Sequence, residues 1–298
     1  MFVKKRKDST DPRLRSLLQK AVRRGYSGVV ESTARRLDAV RDKAWLRSRA
    51  VVITFEESWP LAQQLSITTQ FESRLAAFLR VTSAEKQKDA ASLGALAYAF
   101  SEGDQSILEA VPDRWALRSV SEALRRPLVF FEWAQANCKS PASLQVVDAA
   151  RRYLAAATWG WDKACIIAGA FLATTAGVPE TRKASNAEGA FPYWVALDKH
   201  TPQGKEVLHE IARARSISYR HLIWSGFYFE SAKVNALAES PWWDAERAWR
   251  LTRAGLAPDA AEQLWERVRA IIAERLQPEA EELRKVVENH SAGQGSLF

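Results

Sequence analysis

Apolar residues recur at three- and four-residue spacing along almost the whole of this 298-residue chain, and period-two β-branched runs are scarce. That pattern confines the fold to packed amphipathic helices and leaves little material for a sheet. Val51-Val52-Ile53-Thr54, the clearest β-branched run, sits inside a helical pattern. Leu14, Leu17, Leu18, Ala21 and Val22 form one apolar stripe, closed by Gly25. Further helices are expected over 29–40, 44–57, 71–81, 85–100, 113–125 and 128–137, with one or two buried ones in the Ala-rich stretch 142–177. Thr201-Pro202 is an N-cap followed by a first-turn proline and opens a helix over 203–215. Others follow over 218–238 with a break near Gly226, over 242–254 and 258–276, and from Pro278 to about residue 289. The expected fold class is therefore all-α and multi-helix.

The charge is unevenly distributed. Residues 1–50 hold fifteen Lys/Arg against five Asp/Glu, so the other 28 basic and 30 acidic residues nearly cancel and the net +8 comes from this first segment. Lys4, Lys5, Arg6, Lys7, Arg13, Lys20, Arg23, Arg24, Arg35 and Arg36 form its main clusters, continued by Arg41, Lys43, Arg47 and Arg49. A basic patch of this kind suits phosphate-backbone binding with steep salt dependence, so DNA or an acidic partner surface is the expected contact. The competing reading is a solvated helical face.

Other classes are disfavoured. The apolar stretch 164–177 is too short to span a bilayer, and no apolar run stands behind the N-terminal charges as a leader would require. Two cysteines, Cys138 and Cys165, make neither a metal nor a disulfide pattern and fit a reducing cytoplasm. Asp198, His200, His209 and Glu210 are close in sequence, but Arg213 stands where a His-Glu-x-x-His motif needs its second histidine. Glu56 and Glu57 are adjacent and diverge on a helix. No catalytic residue, metal or cofactor is assigned. Of the twelve tryptophans, Trp242 and Trp243 beside Arg247 and Arg250 could stack on unpaired bases, against the plainer role of helix packing.

The last residues, Gln294-Gly295-Ser296-Leu297-Phe298, end a polar run on two large apolar side chains. Each of Leu297 and Phe298 would contribute about 1.5–3 kcal/mol on full burial in a pocket, and the Gln294 amide could set register at its rim. Gln294, Ser296, Leu297 and Phe298 resemble the bacterial sliding-clamp-binding motif, usually Gln-Leu-Ser/Asp-Leu-Phe; Gly295 departs from it. The resemblance implies the DNA polymerase sliding clamp as partner.

A second resemblance lies at residues 13–60. Arg13-Leu14-Arg15-Ser16-Leu17-Leu18-Gln19-Lys20-Ala21-Val22-Arg23-Arg24-Gly25, Ala34-Arg35-Arg36-Leu37 and Trp45-Leu46-Arg47-Ser48-Arg49-Ala50-Val51-Val52-Ile53 are similar to helices opening the C-terminal region of RarA/MgsA-type replication-associated ATPases. Phe55-Glu56-Glu57-Ser58 matches a Ser-Glu-Asp-like turn there only loosely. In that family the region is related to the collar through which clamp-loader subunits oligomerise. The chain has no Gly-x-x-x-x-Gly-Lys-Ser/Thr loop, so the likeness is to a collar without its motor. The implied organisation is a basic collar-like domain over 1–177, a loop or linker over 178–200, a helical region over 201–288 and a flexible tail over 289–298. The expected function is a non-catalytic replication or repair accessory protein, with a homo-oligomer or a clamp-loader-type partner in reach. The alternatives are a clamp-recruited DNA-processing enzyme with its site near Asp198–Glu210, and a structural oligomer whose tail docks on a neighbouring subunit.

Overall fold

The computed structural model describes the backbone of residues 11–294 and the side chains of residues 11–288. Among the described residues there are thirteen α-helices and no strand. The first half comprises α1 (Pro12–Arg24), α2 (Ser27–Ala39), α3 (Lys43–Ser58), α4 (Phe71–Thr82), α5 (Asp89–Ser101), α6 (Arg114–Arg125) and α7 (Pro127–Asn137). Then follow α8 (Pro141–Tyr153), α9 (Gly160–Thr175), α10 (Pro202–Ala214), α11 (Tyr219–Gly226), α12 (Pro241–Ala254) and α13 (Pro258–Gln294). The all-α expectation holds. No described helix is long and apolar enough to cross a membrane.

Helix starts follow local chemistry. Asp11, Asp113, Ser140, Thr201 and Ser240 each cap a first turn with a side-chain oxygen, and Pro follows directly in four of the five cases. Gly25 ends α1 at φ 81°, the left-handed conformation favoured by glycine. A Cβ there would also lie 2.7 Å from Asn235 Nδ2, so the Asn235 side chain would have to shift to admit one.

Three departures from the sequence expectation have identifiable causes. The expected helix over 85–100 begins only at Asp89, because residues 83–88 run between other segments. Glu85 N donates to Arg182 O (2.9 Å), Lys86 N to Ala236 O (2.8 Å) and Gln87 N to Glu57 O (2.8 Å). The fully buried Lys86 ammonium turns back onto the end of α4 and donates to the carbonyls of Val81 (2.8 Å), Thr82 (3.2 Å) and Ala84 (2.6 Å). The helix expected over 218–238 does break at Gly226, but it does not resume as an α-helix beyond the break, for the same reason. After α11 comes a π-turn, Phe227–Ser231, and then residues 236–238 pair with Lys86 in extended form. Finally, Pro278 lies inside α13 rather than opening a new helix. A proline there costs about 3 kcal/mol, but Leu276, Ala280, Leu283 and Val287 are all buried on one continuous face. Those apolar side chains together outweigh the break at about 1.5–3 kcal/mol for each large one.

One apolar cluster reaches from Leu14 to Val287. At its centre α5 and α9 lie backbone against backbone. Residues 178–200 are mostly irregular in backbone, yet Phe191, Val195, Ala196 and Leu197 are buried in this cluster. This segment therefore places Asp198 against α1.

Candidate functional site

A cleft of about 510 Å³ opens where α1, α3, α9, α12, the start of α5 and the π-turn converge. Its interior is charged. From α1, Lys20 Nζ lies 2.7 Å from Asp198 Oδ2 and donates to Ser16 Oγ at 2.7 Å. Asp198 also accepts from Ser231 Oγ (3.1 Å) and from the backbone N of His200 (2.9 Å). One turn further along α1, Arg23 donates through Nε to Glu57 Oε1, through Nη2 to Glu56 Oε1 and through Nη1 to Ser231 O, each at 2.8 Å. Glu57 is wholly buried and closes its other oxygen on Lys88 Nζ, while Gln19 holds Glu56 at 3.0 Å. Adjacent carboxylates that would diverge along α3 are thus drawn to one guanidinium.

The opposite wall belongs to α12. Glu246 accepts from Arg250 Nη2 (2.7 Å), Tyr228 OH (3.2 Å) and Ser92 Oγ (3.1 Å). The Arg250 guanidinium lies 4.9 Å from the centroids of both Trp161 and Trp224 and 5.1 Å from that of Trp249. Across the mouth, Arg49 of α3 pairs with Asp162 in the first turn of α9, and its buried Nε has no partner. Trp45, Trp159, Trp161 and Trp243 line the cleft beside these groups.

The electrostatics follow from crowding charges in a poorly solvated space. Burial pushes the Glu57 carboxyl up, but Arg23 and Lys88 overcome it and bring it down to about 2. Burial acts the same way on Asp198, where Lys20 and His200 win and hold it well below the usual carboxylate range. Burial lowers the Lys20 and Lys88 ammonium groups despite Asp198 and Glu57. Lys199, with Nζ 3.7 Å from the Trp224 ring centroid, is brought down to about 8 by burial and by Arg250. Burial pushes the Cys165 thiol, which borders the cleft, well up, so it is a protonated and weak nucleophile.

The residues singled out in the sequence go to different places. Lys20 and Arg23 are inside the cleft with carboxylate partners. Arg13 binds Asp11, Glu279 and Glu282, tying α1 to α13. Arg24 donates to the carbonyl and carboxylate of Glu230, both at 2.7 Å, and Arg35 pairs with Glu31 one turn back. Arg36 is half-buried with an unpartnered, buried Nε. Arg41, Lys43 and Arg47 are exposed around the α2–α3 turn. Lys4, Lys5, Arg6 and Lys7 lie outside the described residues, as do Ser296, Leu297, Phe298 and the Gln294 side chain.

Asp198 and His200 pair with each other, the imidazole Nδ1 lying 3.1 Å from the carboxylate, but His209 and Glu210 lie apart with other partners. Asp198 and His200 border the cleft, whereas exposed His209 stacks on Tyr219 (centroids 3.6 Å apart) and Glu210 pairs with Arg275. Trp242 is buried and Trp243 half-buried; the strongly exposed tryptophans are Trp115 and Trp159. Among the described residues no group of three or more His, Cys, Asp or Glu is arranged to hold a metal ion. Sequence reasoning missed Glu57, Lys88, Glu246 and Arg250 as neighbours, since only the packing of distant helices unites them. No family model, curated protein or solved structure matches the chain.

Proposed function

We propose that this chain is a non-catalytic accessory protein of bacterial DNA replication or repair, recruited in the cytoplasm to the sliding clamp by Gln294, Ser296, Leu297 and Phe298. The observation that carries this reading is the Gln294–Phe298 peptide itself, with its paired apolar anchors behind a polar run. The helix leading to it supports the reading. α13 has 37 residues, about 55 Å at 1.5 Å per residue, and is held to α1 through Arg13. The segment around Arg23, the best part of the collar-like resemblance, also binds the loosely matching Glu56-Glu57 turn directly. DNA contact falls to the exposed cations Arg41, Lys43 and Arg47 and to the basic residues 4–7, because Lys20 and Arg23 face inward onto carboxylates.

The test is binding of the full chain to a bacterial sliding clamp at physiological salt, beside Leu297→Ala/Phe298→Ala. Losing two buried side chains of about 1.5–3 kcal/mol each is expected to weaken micromolar binding by at least about a hundredfold. Clamp binding that is absent, or indifferent to the double substitution, would remove the reading.

A further inference from the structure

We propose that the cleft between α1, α3, α9 and α12 is a binding site for a nucleoside phosphate, either a free nucleotide or the end of a DNA strand. Its volume of about 510 Å³ lies within the ordinary range for small-molecule sites.

The cations inside are under-used as donors. An ammonium has three N–H groups, yet Lys88 makes one hydrogen bond, to Glu57, although it is almost completely buried. The Arg49 Nε is buried with no acceptor, and burial without a partner is costly unless something else fills the gap. Both side chains line the same cleft. Phosphate oxygens are acceptors suited to such donors.

Charge alone does not define the ligand. Lys20, Arg23, Arg49, Lys88 and Arg250 face Glu56, Glu57, Asp162, Asp198 and Glu246, so the cluster is close to neutral. A long polyanion would find no positive track here. One phosphate can use the unfilled donors, while the carboxylates remain as acceptors for sugar hydroxyl or base amino groups. The rim supplies the third element. Trp159 is 69% exposed and Trp161 36%, and both border the cleft beside half-buried Trp45. Aromatic rings held at the mouth of a polar cleft are what a base stacks on.

Titration of the full-length protein with AMP, dAMP, deoxyadenosine, inorganic phosphate and a 5′-phosphorylated oligo-dT, followed by calorimetry, tests the assignment. Saturable nucleotide binding below about 1 mM is expected. Deoxyadenosine and phosphate should each bind at least about tenfold more weakly, because each lacks one half of the contacts. Trp159→Ala, a rim change that leaves the core intact, should weaken nucleotide binding about tenfold. Trp115→Ala removes another exposed tryptophan, 58% exposed and outside the cleft, and should leave it unchanged. Tighter binding of the oligonucleotide than of dAMP identifies a strand end; equal or weaker binding identifies a free nucleotide. No saturable nucleotide binding, equal binding of inorganic phosphate, or indifference to Trp159→Ala would overturn the proposal. None of these results depends on the clamp peptide, so the two readings stand or fall separately.

Discussion

Glu57→Gln is expected to destabilise the protein by about 3–5 kcal/mol, the cost of stranding buried charges when one partner is removed. Glu57 offers one oxygen to Arg23 Nε and the other to Lys88 Nζ. An amide of the same shape turns one of those acceptors into a donor facing a cation. Arg23 keeps Glu56 and the Ser231 carbonyl, but Lys88 loses its carboxylate in a buried site. Against a total stability of about 5–15 kcal/mol, the loss is a large fraction, visible as a lowered denaturation midpoint. A change under about 1 kcal/mol would mean that the buried ion cluster is not formed as described.

The same substitution has a pH signature. An unfolded glutamate titrates near about 4.3, whereas folded Glu57 is held down to about 2. A folded value below the unfolded one stabilises the native state above about pH 4.3, and that contribution is lost as pH falls toward about 2. Wild type should therefore lose stability steeply across this window, reinforced by Asp198, which is held low by Lys20 and His200. Glu57→Gln should start lower and fall less steeply. Equal slopes in acid denaturation would show that Glu57 does not carry the shift.

Gly94→Leu is expected to cost about 3 kcal/mol or more, the upper end of overpacking penalties. A Cβ at Gly94 would lie 2.6 Å from Cys165 N and 2.7 Å from Ala164 C, so the neighbours are α9 backbone atoms that cannot turn aside. Glycine in a helix interior normally costs about 1 kcal/mol relative to alanine. Here that cost is accepted because α5 and α9 approach so closely. Even Gly94→Ala should lower the thermal midpoint despite its better helix propensity. A raised midpoint for the alanine variant would show that the two helices are not in backbone contact.

How much was legible depends on sequence distance. Thr201-Pro202 and Gly25 act within a turn or so of themselves, so their spacing alone marks the ends of helices. Pro278 misleads because the counterweight, a buried stripe on the same helix, is settled by what α13 packs against. The segment 83–88 misleads because its hydrogen bonds go to residues 57, 182 and 236, which no local pattern announces. The basic segment shows the same limit. Its excess charge is plain in the sequence, but Lys20, Arg23 and Arg24 meet partners at 198, 56–57 and 230. A count of charges cannot tell a surface patch from one side of a buried ion cluster.

Those long reaches also govern the order of assembly. Arg13 waits for Glu279 and Glu282, Arg24 for Glu230 and Lys20 for Asp198. While the chain is being made, α1 therefore finds early partners for Arg15 and Arg23 in Asp42 and Glu56-Glu57, but Lys20, Arg24 and the α13 side of Arg13 stay without theirs until Asp198, Glu230 and Glu279 have followed. Contacts so distant in sequence slow folding and leave apolar surface open meanwhile. A nascent chain halted before α13 would present a half-built core, so this fold closes only once α13 has been made.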